Sequence, residues 1–207
     1  MAWKSGVILA NVVVLLGGEV RAQDATSAVV GRFNAALLAS LKEGDSLGYQ
    51  GRFKQLEPIM RQTFDLDLMA EKALGPHWKD LSQADQARWR ALFSEFTVAN
   101  YAANFDRFTG QHFDILGEEP SVNDTKLVKT KVVTPGADAV ELSYRLQKTG
   151  GGWRIIDVYL KGTVSELAVR RADYSSLLER DGFDALATVL RSKITDLATG
   201  RAKRDRP

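Results

Sequence analysis

The chain has 207 residues, of which 44% are hydrophobic and 26% charged, and its formal net charge is only +2. That balance suits an ordinary globular protein with one core, and it excludes both the strong basic field of a nucleic-acid binder and the charge-rich make-up of a disordered chain. There is no cysteine, so thiol chemistry is excluded and stability must come from packing rather than from disulfides.

The first residues carry an export pattern. A short positive start ending at Lys4 precedes an apolar run over residues 6–18, broken only by Asn11. Val20, Arg21 and Ala22 then offer a small-residue cleavage site, with Gln23 as the first mature residue. The run falls short of the about 20 apolar residues that a membrane span needs. We therefore expect a signal peptide over residues 1–22 and a periplasmic mature protein. A lipidated protein would need a cysteine just after the cleavage point, so the mature chain is expected to diffuse freely. Residues 23–200 fit one domain. Residues 201–207 form a basic tail with Arg201, Lys203, Arg204 and Arg206, a composition typical of a solvated end.

Helical spacing comes first in the mature chain. From about Thr26, Val30, Phe33, Leu37 and Leu41 recur on one face, and Gly44 is a plausible stop. Residues 55–64 lead into a short helix around Leu66 and Met69, which Gly75 and Pro76 end. Ser82 and Asp85 have the spacing of a capping box ahead of a third helix. On it Trp89, Phe93 and Phe96 share a face, and Tyr101, Phe105 and Phe108 extend the aromatic pattern.

The period changes to two from His112. Residues 127–133 read as a strand ending at the Pro135–Gly136 turn. Val140, Leu142, Tyr144 and Leu146 alternate with Glu141, Ser143 and Arg145, which predicts one buried and one solvated face. The glycine-rich turn at residues 148–152 leads to Trp153, Ile155, Ile156 and Val158, a strand apolar on both sides and hence expected at the centre of a sheet. Short connections favour antiparallel neighbours. After Gly162 helical signals return. Phe183, Leu186, Ala187, Leu190, Ile194 and Leu197 mark an amphipathic helix that Gly200 can end. The predicted fold is α+β, a curved antiparallel sheet packed against N- and C-terminal helices.

Catalytic and metal motifs are missing from the sequence. His77 and His112 lack ligand spacing, and no nucleophile elbow, phosphate-binding loop or zinc-protease motif occurs. Neither a metal nor a cofactor is expected. Asp157 is out of place in an apolar strand. Buried, it needs a hydrogen-bond or ion-pair partner, for which the following segment with Thr163, Arg170 and Arg171 is the favoured source. The lesser reading makes Asp157 a general base, with Tyr144 or Tyr159 available beside it.

Two stretches resemble a known family. Phe64, Asp65, Leu66, Asp67, Leu68, Met69 and Ala70, followed by Leu74, Gly75 and Trp78, are similar to the first signature of the MlaC (toluene-tolerance) family of periplasmic phospholipid carriers. Trp153, Arg154, Ile155, Ile156, Asp157 and Val158, leading through Gly162 to Arg170, Arg171, Ala172, Asp173 and Tyr174, resemble the second. Gly182, Phe183, Asp184, Ala185 and Leu186, then Leu190, Arg191, Ser192 and Lys193, continue it. The likeness runs in order through the whole mature chain. Thr163, Val164, Ser165 and Glu166 depart from the family pattern, and the hopanoid-associated HpnM branch is a second point of resemblance.

The resemblance implies a twisted sheet whose face and surrounding helices enclose an apolar pocket for acyl chains. It implies a phospholipid or hopanoid ligand, an inner-membrane ABC transporter with an MCE-domain protein and an outer-membrane lipoprotein complex as partners, and a part in outer-membrane lipid asymmetry. Combined with the apolar pattern, it makes Phe93, Phe96, Phe105, Val140, Leu142, Tyr144, Leu146, Trp153 and Ile155 the expected lipid-binding residues. The first expectation is thus a lipid carrier and not an enzyme. A cargo-free envelope adaptor with a filled core is the alternative, and an isomerase-like enzyme using Asp157 comes last.

Overall fold

The structure is a computed structural model that describes residues 26–201. The expected signal peptide and the basic tail beyond Arg201 lie outside the described residues. Helix α1 (Thr26–Lys42) buries Val29, Val30, Phe33, Leu37 and Leu41, the stripe its spacing predicts. Helix α2 (Gly44–Thr63) follows at once and is broken at Gly48, whose φ of 58° and ψ of −177° leave the helical region. Gly44 does more than stop α1. A side chain there would collide with the Asp106 carbonyl oxygen, so only glycine allows the two backbones to approach.

Arg52 ties α2 to the end of the next long helix. It is buried, and donates through Nε to the Ala102 carbonyl at 2.8 Å and through a terminal nitrogen to the Gly44 carbonyl at 2.7 Å. Carbonyls in the last turn of a helix have no partner within it, which is why a cation is well placed at Ala102. Helix α3 (Leu66–Leu74) starts on the Asp65 side chain, which accepts from the Leu68 amide at 3.0 Å. A 3-10 turn (Gly75–Asp80) leads to α4 (Gln83–Asn104), where Ser82 Oγ accepts from the Asp85 amide at 3.1 Å.

Strands β1 (His112–Pro120), β2 (Lys126–Val133), β3 (Val140–Thr149), β4 (Gly152–Leu160) and β5 (Val164–Ser165) pair antiparallel in sequence order. The observed α+β fold therefore agrees with the expected one. Val128 faces Tyr144, Thr130 faces Leu142, and Val132 faces Val140. Leu142, Tyr144 and Leu146 in turn face Leu160, Val158 and Ile155. Directly opposed residues share a face, so these side chains form the inner surface of the sheet. The opposite face carries ion pairs such as Lys129–Glu119 at 2.8 Å and Lys131–Asp114 at 3.4 Å.

Strand β4 is not central. It lies one place from the edge, beside the two-residue β5. Its unbroken apolar look has another cause. The register slips between Arg145 and Leu146, so that Ile156 is an extra residue between the pairs Leu146–Ile155 and Arg145–Asp157. Such a bulge resets the alternation. Ile155 and Val158 then both point inward although they are three apart, and Asp157 takes the other side.

Helix α5 (Glu166–Ala198) returns across the helical layer and breaks at Gly182, whose φ is 81°. Its buried residues after the break, Leu186, Ala187, Leu190 and Leu197, lie on the expected amphipathic stripe. Trp89 forms the seam between helices. Its indole donates to the Ala70 carbonyl at 2.9 Å, and its ring meets Tyr174 edge-on at 5.2 Å.

Candidate functional site

The sheet and helices do not close on each other completely. A cavity of about 530 Å³ opens between the Val140–Leu160 end of the sheet and the facing stretches of α4 and α5. Phe64, Tyr101 and Phe105 form one wall. Phe64 and Tyr101 rest against Phe33, with ring centroids 4.9 and 5.2 Å away, and Phe105 stacks on Tyr101 at 5.7 Å. Val132, Val140, Leu142, Val158 and Leu160 from the sheet form the opposite wall. The volume falls within the range of about 300–1,000 Å³ usual for sites that bury small organic ligands.

Polar groups enter from two helices. On α4, Thr97, Asn100 and Asn104 line the cavity, and each turns its donor back on its own helix. Thr97 Oγ1 donates to the Phe93 carbonyl at 2.8 Å, and the Asn100 and Asn104 amides donate to the carbonyls four residues earlier at 2.9 Å. On α5, Glu166 and Arg170 line it one turn apart. The Arg170 guanidinium donates to Thr97 Oγ1 at 3.4 Å and lies over the rings of Phe93 and Phe96, 5.8 and 5.2 Å from their centroids. Aromatic faces hold a guanidinium plane by their quadrupole. Burial pushes the Tyr101 phenol well above its ordinary range, an effect that Arg170 opposes and Glu166 reinforces. Tyr101 therefore presents a neutral hydroxyl to the cavity at any physiological pH.

Of the residues expected to bind lipid, Phe105, Val140 and Leu142 line this cavity. Phe93, Tyr144, Leu146 and Ile155 are fully buried in the core behind it. Phe96 is buried under Arg170, and Trp153 is half-buried beneath the Lys126 ammonium, 5.5 Å from its ring. Phe108 lies beyond the end of α4 and is exposed, with Lys42 over its ring at 5.8 Å. Of the expected set, then, three residues border the cavity and six lie behind it or away from it.

The remaining lining residues were not singled out for this role. For those on α4 the sequence does hold a signal. Thr97, Asn100, Tyr101 and Asn104 continue the stripe of Phe93 and Phe96 at helical spacing, but the stripe turns from aromatic to amide and hydroxyl. A core-facing stripe that becomes polar halfway along marks a wall that is not packed solid.

Asp157 stands outside the cavity lining. One carboxylate oxygen accepts from the Val158 amide at 2.8 Å and the Leu167 amide at 3.3 Å, and the other from Ser165 Oγ at 2.7 Å. Ser165 Oγ in turn accepts from the Ala168 amide at 2.9 Å. Together they cap α5, satisfying orphan N–H groups at its start. The expected partnership with the following segment is present, made by Ser165 and Leu167 rather than by Thr163, Arg170 or Arg171. His77 and His112 sit beside Glu179 and Asp114 at 3.2 and 3.7 Å, far apart on the chain.

A five-stranded antiparallel meander backed by helices, with an apolar hollow between the layers, defines an open-sheet α+β domain. A family model described as MlaC protein matches residues 32–192, and the chain belongs to that family. The fold also matches the solved structure of a phospholipid-binding protein from Ralstonia solanacearum in complex with a phospholipid. That match has a TM-score of 0.73 and 20% identity, and covers 84% of this chain and 98% of the other. At that identity the likeness is one of fold. No curated protein matches the chain.

Proposed function

We propose that this protein is a lipid carrier that holds acyl chains in the cavity between its sheet and α4 and α5. The observation that carries this reading is the hollow itself. Phe64, Phe105, Val132, Leu142, Val158 and Leu160 give it an apolar wall in a part of the fold where packing would otherwise be most favourable. Membership of the MlaC family and a fold shared with a phospholipid-bound protein support the same reading.

The energetics define the task. A diacyl lipid has about 30 methylene groups, each costing about 0.8 kcal/mol to expose, so a bare lipid in water is on the order of 20 kcal/mol above the bilayer. A carrier needs no reaction chemistry; it needs an apolar volume comparable with the membrane. Asp157 has Tyr159 beside it, but the pair lies outside the cavity lining and the carboxylate is engaged in the α5 cap. In the cell the protein would move its cargo through the periplasm, between an inner-membrane ABC transporter with an MCE-domain protein and an outer-membrane lipoprotein complex.

The test is direct. Organic extraction of the purified protein followed by mass spectrometry should recover phospholipid, or a hopanoid, at close to one molecule per chain. Protein that extracts clean after isolation from lipid-containing cells, and that takes up nothing from vesicles, would overturn the reading.

A further inference from the structure

Glu166 and Arg170 are half-buried on the same wall of the cavity, one turn apart on α5. An acid followed four residues later by a base ordinarily meets its partner across the turn. Here they do not meet. Arg170 is drawn to Thr97 and to the faces of Phe93 and Phe96. Among the described residues, the Glu166 carboxylate makes no hydrogen bond or ion pair. The cavity therefore holds two opposite, separated charges in an otherwise mostly apolar wall, with the neutral Tyr101 hydroxyl beside them.

Each kind of lipid meets this pair differently. A neutral hydrocarbon cargo covers the Glu166 carboxylate without a partner and leaves Arg170 only Thr97 and two ring faces, which is costly. An anionic headgroup satisfies Arg170 but places its charge against Glu166. A headgroup with separated positive and negative charges satisfies both, because a phosphodiester can accept from the guanidinium while an ammonium donates to the carboxylate. We propose that the Glu166–Arg170 pair makes the cavity selective for zwitterionic phospholipid, with phosphate at Arg170 and amine at Glu166. The proposal rests on the lipid-carrier reading and adds the headgroup class.

The experiment is exchange against vesicles of equal parts phosphatidylethanolamine and phosphatidylglycerol. The full chain is re-isolated, and both the phospholipid per protein and the headgroup ratio are measured. The wild type should enrich phosphatidylethanolamine by about threefold or more, the scale of a partly exposed charge pair. Glu166→Gln should move the ratio toward phosphatidylglycerol. Arg170→Gln should lower total phospholipid, because both headgroups lose their phosphate partner, and Arg170→Lys should restore part of it. Glu166→Gln is the milder change and stands as a test by itself if Arg170→Gln folds poorly.

Lipid bound at the vesicle ratio by the wild type, or an unchanged ratio in Glu166→Gln, overturns the headgroup proposal and leaves the carrier reading intact. No bound lipid at all overturns the carrier reading. Calorimetry with glycerophosphoethanolamine, which has the head without the chains, should show no binding at millimolar concentration. Tight binding of that soluble compound overturns the assignment to a lipid headgroup and points to a free phosphoester instead.

Discussion

Along one face of the sheet the interior changes character within a few residues. Tyr144, Leu146 and Ile155 have no solvent exposure and are covered by helices, with Phe33 edge-on to Tyr144 at 6.0 Å. On the same face Val140 and Leu160 are 45% and 38% exposed and border the cavity. The side chains are equally apolar at both ends. What differs is the opposing surface: helix side chains fill the first end, whereas at the second the rings of Phe64, Tyr101 and Phe105 stop short of the sheet, and α4 and α5 add amides and a separated charge pair. A hollow arises where facing elements decline to fill it, not where the sheet is unusually greasy.

The comparison breaks most visibly in the solid region. Trp89→Ala removes the indole that donates to Ala70 and packs against Tyr174. It should cost about 3–5 kcal/mol, the usual loss for a large buried aromatic ring. Urea or guanidinium unfolding measures it. A loss below about 1 kcal/mol would mean that the helical seam tolerates a void, and the contrast between solid and hollow ends would lose its basis.

Adding volume sharpens the same contrast. Leu146→Phe inserts a larger ring where no space exists and should cost about 1–3 kcal/mol. Val140→Phe places its ring at the cavity, where a strand accepts an aromatic residue readily, and should stay within about 0.5 kcal/mol of the wild type. Its effect should appear instead in binding, as less phospholipid recovered per protein. Equal destabilisation by both changes would show that the two ends are packed alike.

The α5 cap supplies a smaller effect. Asp157→Ala should cost about 1–3 kcal/mol, because it leaves the Val158 and Leu167 amides and Ser165 without their buried acceptor. Since α5 carries one wall of the cavity, some loss of lipid should accompany it. Asp157→Asn keeps one acceptor oxygen and should recover much of the stability. If Asp157→Asn kept its lipid load but abolished turnover of a small substrate, the enzyme reading would return.

The sequence made the fold legible because its signals were local. Apolar spacing located the α1 stripe, Ser82 marked the start of α4, and alternation from Val140 to Leu146 identified the inner sheet face. Strand β4 misled because a bulge adds Ile156, and a one-residue insertion looks the same in sequence as burial on both sides. The site was less legible. Phe105, Val140 and Leu142 line the cavity whereas Phe93, Tyr144, Leu146 and Ile155 lie behind it, although all share the same apolar pattern. Alternation says which way a side chain points. Whether it meets another side chain or a void depends on elements distant in the chain, here Glu166 and Arg170 on α5, whose approach no local pattern records.

The smallest expected effect lies where the sheet meets α1, away from the cavity. Glu118 on β1 accepts from the Thr26 hydroxyl, from Ser27 Oγ at 2.9 Å and from the Lys126 ammonium at 2.8 Å. Those bonds, Lys126 first, hold its carboxyl at about 2, well below the ordinary range. A carboxyl whose folded value is depressed stabilises the fold above its unfolded pKa and loses that contribution as pH falls through the folded one. The wild type should therefore exceed Glu118→Gln in melting temperature by a constant margin above about pH 5, with the margin shrinking between about pH 4 and pH 2. Because Glu118 is exposed, the margin should be modest and should shrink further in salt. Lipid loading should be the same in both proteins, since this contact anchors the first turn of α1 and borders no part of the hollow. A variant that loses lipid in step with its melting temperature would instead tie the two ends of the molecule together.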